Sequence, residues 1–188
     1  MDSKRQIRVS KFLSKHLRHA PDGIGLVLDA GGWVSVDAML VAAANHGCHL
    51  TREELSDIVV ASDKQRFAFD ETGSRIRASQ GHSIEVDLQL DPADPPEILY
   101  HGTTEAALPA ILTGGLLRMQ RHHVHLSQDA GTAARVGTRH GEPVVLVVAS
   151  GKMAASGFQF FVSANGVWLV DAVPPEYLTV LSPENLPR

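Results

Sequence analysis

The first segment of the chain alternates apolar and basic positions with the period of a helix. If each residue between 4 and 20 is rotated by about 100° from the last, as in a helix, six positions fall on one side: Val9, Phe12, Leu13, His16, Leu17 and Ala20. A basic set groups on another side: Lys4, Arg8, Lys11, Lys15, Arg18 and His19. Pro21 disfavours helical backbone at the residue before it, so the pattern predicts an amphipathic helix over 4–19. Its basic face is either an ordinary solvated surface or one that meets anions.

The rest of the first half predicts two more helices and a hairpin. The elements are a short strand and turn at 25–36, helices at 36–46 and 51–61, and strands at 66–70 and 75–79. Ser35 is the expected N-cap of the second helix, and Gly47 its stop. The third begins with TREE, a capping box in which Thr51 and Glu54 each bond an orphan backbone N–H. Three helices followed by a hairpin predict a winged-helix-like lobe over residues 1–90.

The pattern changes after an acidic segment. Residues 84–97 hold five acids and no Lys or Arg, and 91–96, rich in Pro and Asp, is the expected linker. β-rich runs follow, separated by Gly, Ser and Asn: EILYHGT, HVHLS, PVVLVVAS, FQFFVS, GVWLVDAV and LTVLS. Helical segments lie after the first and second runs. Residues 97–188 are therefore predicted to form a second, β-rich lobe, and the fold class is α+β.

Composition is that of an ordinary globular protein and disfavours several classes. The 188 residues are 44% hydrophobic and 20% charged, with a net charge of −4. The single Cys48 excludes an internal disulfide framework and is typical of a reducing cytoplasm. No apolar run approaches the roughly 20 residues of a membrane span, and the N-terminus lacks the apolar core of a signal peptide. We expect a cytoplasmic protein with no membrane partner.

Charge is uneven along the chain. Residues 1–20 hold six Lys or Arg against Asp2 alone, which favours one anion-binding surface. The usual phosphate-loop motifs do not account for it. GIGLVL at 23–28 begins like a dinucleotide-binding loop, but Leu28 occupies the position of the third glycine.

The histidine-rich stretch RMQRHHVHL at 118–126 suggests a zinc site. His123 and His125 would share one face of a strand, as zinc ligands in some sheets do. A third ligand would have to come from His101, His140 or His82. Arg121 would lie on the same strand face, and a fixed cation beside a divalent metal is unfavourable. We therefore expect no metal.

Three arginines offer a different chemistry. Arg18, Arg66 and Arg121 stand in separate segments, each beside an apolar or β-rich stretch. Guanidinium groups that converge bind phosphate through paired hydrogen bonds and stay charged at every physiological pH. Spacing alone does not bring the three together.

Eight stretches, in order over nearly the whole chain, resemble the tRNA 2′-phosphotransferases, also known as KptA-type RNA:NAD 2′-phosphotransferases. They are SKFLSKHLRHAP (10–21), GLVLDAGGWVSVDAML (25–40), DKQRFAF (63–69), IRASQGHS (76–83), LYHGT (99–103), GLLRMQRHHVHLS (115–127), VGTRHG (136–141) and FVSANGVWLVDAVPPEYL (161–178). The resemblance implies a winged-helix-like lobe and an ADP-ribosyltransferase-like lobe that binds NAD without a Rossmann fingerprint.

The resemblance also implies the reaction and its residues. An internal RNA 2′-phosphate, as at a tRNA splice junction, attacks C1″ of the nicotinamide ribose of NAD and releases nicotinamide. The 2″-hydroxyl then attacks phosphorus, which leaves 2′-hydroxyl RNA and ADP-ribose 1″,2″-cyclic phosphate. The family's catalytic quartet falls on Arg18, His19, Arg66 and Arg121. The implied partners are RNA and NAD, and we expect a monomer.

For NAD, the resemblance points to residues of the second lobe. They are His101, Gly102, Thr103, His125, Ser127, Ser163, Asn165 and Gly166, with Arg139 at the diphosphate. Turn geometry is the alternative explanation for Gly102, Asn165 and Gly166. Two other functions stay open: an ADP-ribosyltransferase acting on nucleic-acid phosphate ends, and a non-enzymatic winged-helix nucleic-acid binder.

Overall fold

A computed structural model of the chain describes residues 2–61, 65–137 and 143–182. The chain divides into two compact units, Met1–Gln89 and Leu90–Arg188, and each contains a cluster of buried apolar side chains. Both units combine helices with antiparallel strands, which confirms the α+β class. The assignment of lobes to 1–90 and 97–188 around a 91–96 linker stays a prediction. No helix of the described ranges combines the length and the apolar character that crossing a membrane requires.

The predicted amphipathic helix is α1, Ser3–Arg18. The carboxylate of Asp2 caps its start by accepting a hydrogen bond from the backbone N–H of Arg5 at 2.8 Å. The buried residues of the helix are Val9, Leu13, His16 and Leu17, which are four of the six positions that the helical period places on the apolar face. His19 is the C-cap, so the helix ends where Pro21 predicts.

Two further helices and three strands complete the first unit. They are β1 (Val34–Ser35), α2 (Val36–Asn45), α3 (Arg52–Val60), β2 (Phe67–Phe69) and β3 (Arg75–Ala78). The Ser35 hydroxyl caps α2, and Thr51 and Glu54 form the complete capping box of α3. The strands form one antiparallel sheet in the order β1-β3-β2. The predicted helices, caps and hairpin are therefore confirmed.

The strand within 25–36 is shorter than its apolar pattern suggests, since only Val34 and Ser35 pair with a neighbour. Asp29 closes a turn just before them. Its backbone carbonyl accepts from Gly32 N–H, and its carboxylate accepts from Trp33 N–H, both at 2.9 Å. Gly32 adopts a φ of 76°, which glycine reaches without steric cost.

The second unit contains most of the strands. Its elements are β4 (Leu99–Thr104), α4 (Leu108–Gly114), β5 (Leu116–Leu117), β6 (Val124–Leu126), α5 (Ala130–Gly137), β7 (Pro143–Val148), α6 (Ser150–Ala155), β8 (Phe161–Val162), β9 (Trp168–Val170), β10 (Ala172–Val173) and β11 (Leu178–Val180). They form three antiparallel sheets, β11-β7-β4, β6-β9-β8 and β10-β5. All six β-rich runs predicted from the sequence contain a strand, although β8 spans only two residues.

Candidate active site

Three of the four candidate catalytic residues lie close together in the first unit. Arg18 is the last residue of α1, and its Nη2 donates a hydrogen bond to the backbone carbonyl of Arg66 at 3.3 Å. Arg66 immediately precedes β2. His19 caps the same end of α1 and, together with Arg66, lines one groove. The fold therefore gathers two guanidinium groups and an imidazole around the C-terminal end of α1.

His19 is exposed to solvent, but a hydrogen bond fixes its ring. Its Nδ1 and the hydroxyl of Ser83 are 2.9 Å apart and share a hydrogen bond. The backbone N–H of Ser83 donates to the carbonyl of Arg18 at 2.9 Å. Ser83 thus fixes the chain at the helix end as well as the imidazole, and it orients Nε2 of His19 as the ring nitrogen remote from this contact.

Arg66 is held by a second serine. Ser79 is 5% exposed; its N–H donates to the carbonyl of Arg66 at 2.9 Å and its hydroxyl donates to the carbonyl of Gln65 at 2.7 Å. Gln65 has a φ of 38°, an uncommon conformation for a residue with a side chain. The two bonds from Ser79 therefore stabilise the uncommon backbone conformation just before Arg66.

Ser79 and Ser83 were not singled out by sequence reasoning. Each is separated from its partner along the chain by many residues, 64 in the contact between Ser83 and His19. No local pattern reports such a contact. Both serines do lie in the stretch IRASQGHS, one of the eight that carry the family resemblance.

The fourth candidate, Arg121, lies in the second unit and contacts a candidate NAD residue. Its Nη1 is 2.9 Å from Nδ1 of His125. A guanidinium only donates, so Nδ1 of His125 is the acceptor and the ring proton of the neutral imidazole lies on Nε2. Arg121, which precedes β6, is thereby held against the central residue of that strand.

His101 is fixed by the same residue. Its Nδ1 is 2.9 Å from the backbone carbonyl of His125, and a carbonyl only accepts, so Nδ1 of His101 carries the proton. Burial, reinforced by the charge of Arg121, lowers the pKa of His101 below its ordinary value. His101 is consequently a neutral imidazole near pH 7, with Nε2 as its hydrogen-bond acceptor.

Gly102 has a packing reason to be glycine. It lies in β4 directly beneath α5, and a Cβ at this position would overlap the carbonyl oxygen of Ala133 and lie 2.6 Å from its carbonyl carbon. Only a residue without a side chain allows the helix to approach so closely. Thr103 follows in the same strand and is half-buried. Turn geometry, the alternative considered for Gly102, does not apply, because the residue is within a strand paired to Val145.

Ser127 joins two sheets of the second unit. Its N–H and carbonyl exchange 2.8 Å hydrogen bonds with Tyr100, one residue before His101. This isolated bridge sets β4 beside β6 and explains how His101 reaches the carbonyl of His125.

Ser163, Asn165 and Gly166 form the turn between β8 and β9. The Ser163 hydroxyl is 2.7 Å from Oδ1 of Asn165, and the Gly166 N–H donates to the carbonyl of Ser163 at 2.8 Å. Gly166 has a φ of 73°. Ser163 is 2% exposed, so its side chain shapes the turn from within. Arg139 falls outside the described residues.

The histidine-rich stretch differs from its predicted geometry. Strand β6 begins only at Val124, because a turn closed by Arg121 N–H on the carbonyl of Arg118 at 3.0 Å precedes it. His123 is therefore not on a strand face with Arg121; its ring is near Phe161, and its Nε2 is 3.7 Å from the carboxylate of Asp171. Within the part of the chain that the structure describes, no group of three or more His, Cys, Asp or Glu residues is arranged to hold a metal.

Comparison with known proteins places these residues in a family. The family described as "RNA 2′-phosphotransferase, Tpt1/KptA family" matches residues 4–172. The chain belongs to this family. Its match spans each of the candidate catalytic and NAD residues, from Arg18 to Gly166.

Several relatives of this RNA 2′-phosphotransferase cover almost the same length. A protein of Trichormus variabilis is 59% identical over 97% of this chain and 100% of its own. One of Streptomyces griseus is 55% identical over 95% of this chain and 98% of its own, and one of Nostoc punctiforme is 54% identical over the same shares. Each is named a probable RNA 2′-phosphotransferase. The chain is accordingly an enzyme of the transferase class.

Proposed function

We propose that this RNA 2′-phosphotransferase removes an internal 2′-phosphate from RNA, of the tRNA splice-junction type, with NAD as co-substrate. The 2′-phosphate displaces nicotinamide at C1″ and forms an RNA 2′-phospho-ADP-ribose adduct. The 2″-hydroxyl of that adduct attacks phosphorus and releases 2′-hydroxyl RNA and ADP-ribose 1″,2″-cyclic phosphate. Family membership supports the transfer, and the arrangement of cations and neutral imidazoles supports the route.

The observation that carries the proposal is the proximity of Arg18 to Arg66, whose backbone carbonyl accepts a hydrogen bond from Arg18 Nη2, beside His19. The second pKa of a phosphate monoester is about 6, so the attacking phosphate is already an anion at neutral pH. Such a nucleophile requires charge neutralisation and positioning, and guanidinium groups provide both. Two neighbouring arginines and an imidazole are therefore suited to this chemistry.

The second step adds negative charge on the phosphoryl oxygens. Arginine stabilises that charge more in the transition state than in the ground state, which lowers the barrier. We assign this role to Arg18, Arg66 and Arg121. We assign proton transfer at the 2″-hydroxyl to His19, because an imidazole can both donate and accept a proton and this ring is oriented by Ser83.

The hydrogen-bond donors and acceptors of the second unit are of the kinds that could bind NAD. His101 is neutral, buried and fixed in one tautomer, so its Nε2 can accept a hydrogen bond from a ribose hydroxyl. Thr103, His125, Ser127 and Asn165 supply further polar groups, while Gly102, Ser163 and Gly166 set the backbone that carries them. Arg139 completes the proposed set at the diphosphate.

The order of the elements in each unit supports the identity proposed for that unit. Three helices and a small antiparallel sheet support a winged-helix-like RNA lobe. Short antiparallel sheets with glycine at a helix-facing strand position support an ADP-ribosyltransferase-like lobe. An enzyme with this RNA substrate would act in the cytoplasm, as a monomer, and without a metal.

The test is incubation with NAD and a short RNA that carries one internal 2′-phosphate, in buffer containing a chelator. ADP-ribose cyclic phosphate and 2′-hydroxyl RNA, resolved by mass spectrometry, are the expected products. Accumulation of the RNA–phospho-ADP-ribose adduct alone would indicate an ADP-ribosyltransferase of phosphate groups instead. Absence of NAD consumption with every phosphorylated RNA would overturn the proposal.

A further inference from the structure

The first unit contains a groove of about 630 Å³ that the reaction as described does not use in full. One wall is α1, from Gln6 to the helix end at His19. The other wall contains Ile58 and Ala61 at the C-terminal end of α3, and Arg66 lies at the same end as His19. The groove thus starts at the candidate catalytic residues and continues along the helix.

Seven of the ten described residues that line this α1–α3 groove are polar or cationic. Lys11, Lys15 and Arg66 contribute three fixed positive charges, and no carboxylate is among the described lining residues. The protein as a whole has a net charge of −4, so the groove departs from the average surface. A concave surface with charges of one sign concentrates ligands of the opposite sign.

The two lysines differ from three arginines elsewhere in the unit. Arg5 pairs with Glu54 and Arg52 with Asp37, at 2.8 and 2.7 Å, and Arg75 likewise has acidic partners. For Lys11 and Lys15, no carboxylate of the described residues lies within 4.0 Å. Their charges are therefore not neutralised by ion pairs of the described surface.

The groove also matches the non-ionic parts of a nucleotide. Gln6, Ser10 and Ser14 recur every four residues and present an amide and two hydroxyls along one line of α1. Such groups bond ribose hydroxyls and base edges. Ile7 is 56% exposed in the same wall, and it offers an apolar surface to a base or ribose face.

The length of the groove indicates whether its ligand is a single phosphate or a strand of nucleic acid. The wall from Gln6 to His19 runs about 20 Å at roughly 1.5 Å per residue. That distance exceeds one phosphate and accommodates a few consecutive nucleotides. A repeating polyanion with ribose hydroxyls is the ligand that combines these features.

We propose that the α1–α3 groove binds the single-stranded RNA adjacent to the 2′-phosphorylated ribose, with its backbone phosphates at Lys11 and Lys15. The inference rests on the proposed function, since the 2′-phosphate itself is assigned to Arg18 and Arg66. It adds a subsite that gives the enzyme a preference for a strand over an isolated phosphorylated nucleotide. Bases are contacted through apolar and hydroxyl groups, so sequence preference is weak.

The experiment compares two substrates and three charge reversals. The substrates are a dinucleotide and a ten-nucleotide RNA, each with one 2′-phosphate. The variants are Lys11→Glu, Lys15→Glu and, as a matched control, Arg8→Glu. Arg8 is an exposed residue of the same helix that does not line the groove, and its reversal changes the net charge equally.

We expect each lysine reversal to lower kcat/KM for the ten-nucleotide RNA about fivefold or more relative to its effect on the dinucleotide, mainly through KM. The slope of log affinity for this RNA against log salt should fall by about 0.7 for each backbone phosphate of the single strand that a variant no longer binds. Arg8→Glu should preserve both the preference for the longer RNA and the salt slope.

Equal losses on both substrates, or equal effects of Arg8→Glu and the lysine reversals, would overturn the subsite while leaving the activity established. A rise in KM for NAD with no change for RNA would assign the groove to the co-substrate and would also overturn the proposal. Absence of product from both substrates with the unmodified enzyme would instead contradict the proposed function.

Discussion

Replacement of Gly102 by alanine tests whether the close approach of α5 to β4 is what requires glycine there. The new Cβ would overlap the carbonyl oxygen of Ala133 and would also lie 3.1 Å from the backbone nitrogen of Gly137. Both obstacles are backbone atoms, so no side-chain rotation relieves them and α5 must move as a unit. Overpacking of this kind costs about 3 kcal/mol, at the upper end of the usual range.

Gly114→Ala is the matched control for that substitution. Gly114 ends α4, and a Cβ there meets no atom within 4 Å. The same methyl group is therefore added without a clash, and the reduced freedom of the unfolded chain should leave stability unchanged or raise it by about 0.5 kcal/mol.

Urea unfolding followed by tryptophan fluorescence measures the difference. The chain has two tryptophans, Trp33 in the first unit and Trp168 in the second. With Trp33→Phe in every protein compared, the signal reports on the second unit, where Trp168 is 7% exposed. We expect Gly102→Ala to reduce the free energy of unfolding by about 3 kcal/mol relative to Gly114→Ala.

Equal stability of the two variants would refute the packing argument. If Gly102→Ala then bound NAD poorly while remaining stable, the glycine would be required because the co-substrate approaches the backbone, as the family resemblance suggests. Loss of stability without ligand identifies the helix contact as the reason.

Three other predictions concern single side chains. Ser83→Ala should lower kcat about threefold to tenfold with little change in KM, because His19 loses a hydrogen bond of about 1 kcal/mol. Ser83→Thr keeps the hydroxyl and should restore kcat. If both variants lower the melting temperature equally and neither changes kcat, Ser83 does not orient His19. Arg121→Ala should reduce kcat/KM at least a hundredfold, whereas Arg135→Ala, at an exposed position of α5, should stay within about threefold by the usual tolerance of surface sites; similar losses in both would exclude a specific role for Arg121. Desolvation raises the pKa of Asp70, but hydrogen bonds, first those from Arg75, outweigh it and lower the pKa to about 2, so the contribution of Asp70 to stability is present above the unfolded value of 3.8 and is lost as pH falls through about 2; urea midpoints of wild type and Asp70→Asn should therefore converge in acid, and parallel curves would contradict this.

Local signals predicted the helices of the first unit well. The Thr51–Glu54 capping box and the Ser35 cap depend on residues three positions apart, so a short stretch of sequence contains the whole interaction. Strand lengths depend on distant partners. β8 is limited to Phe161–Val162 because only those residues pair with β9. The start of a helix can depend on a distant partner too: α6 begins at Ser150, whose hydroxyl donates to the carbonyl of Pro96 at 2.7 Å.

The candidate site divides in the same way. Family resemblance proposed Arg18, His19 and Arg66 as candidates, and the structure brings these three residues close together in the first unit. The serines that hold them were missed because a hydrogen bond between residues far apart in sequence leaves no periodic trace. The extended strand face expected for Arg121 and His123 was wrong, since a turn stands before β6.

The hydrogen bonds from Ser79 and Ser83 bear on when the candidate catalytic residues of the first unit become fixed during folding. Arg18 and His19 stand at the end of α1, early in the chain, but the groups that bond the Arg18 carbonyl and the His19 ring belong to Ser83, which follows β3. Contacts of such sequence separation form late, after local helices. A fragment ending at Ala78 would retain Arg18, His19 and Arg66 and yet lack the hydroxyl and amide groups that hold them. Assembly of this part of the enzyme is thus completed by Ser79 and Ser83, which lie near the end of its first unit.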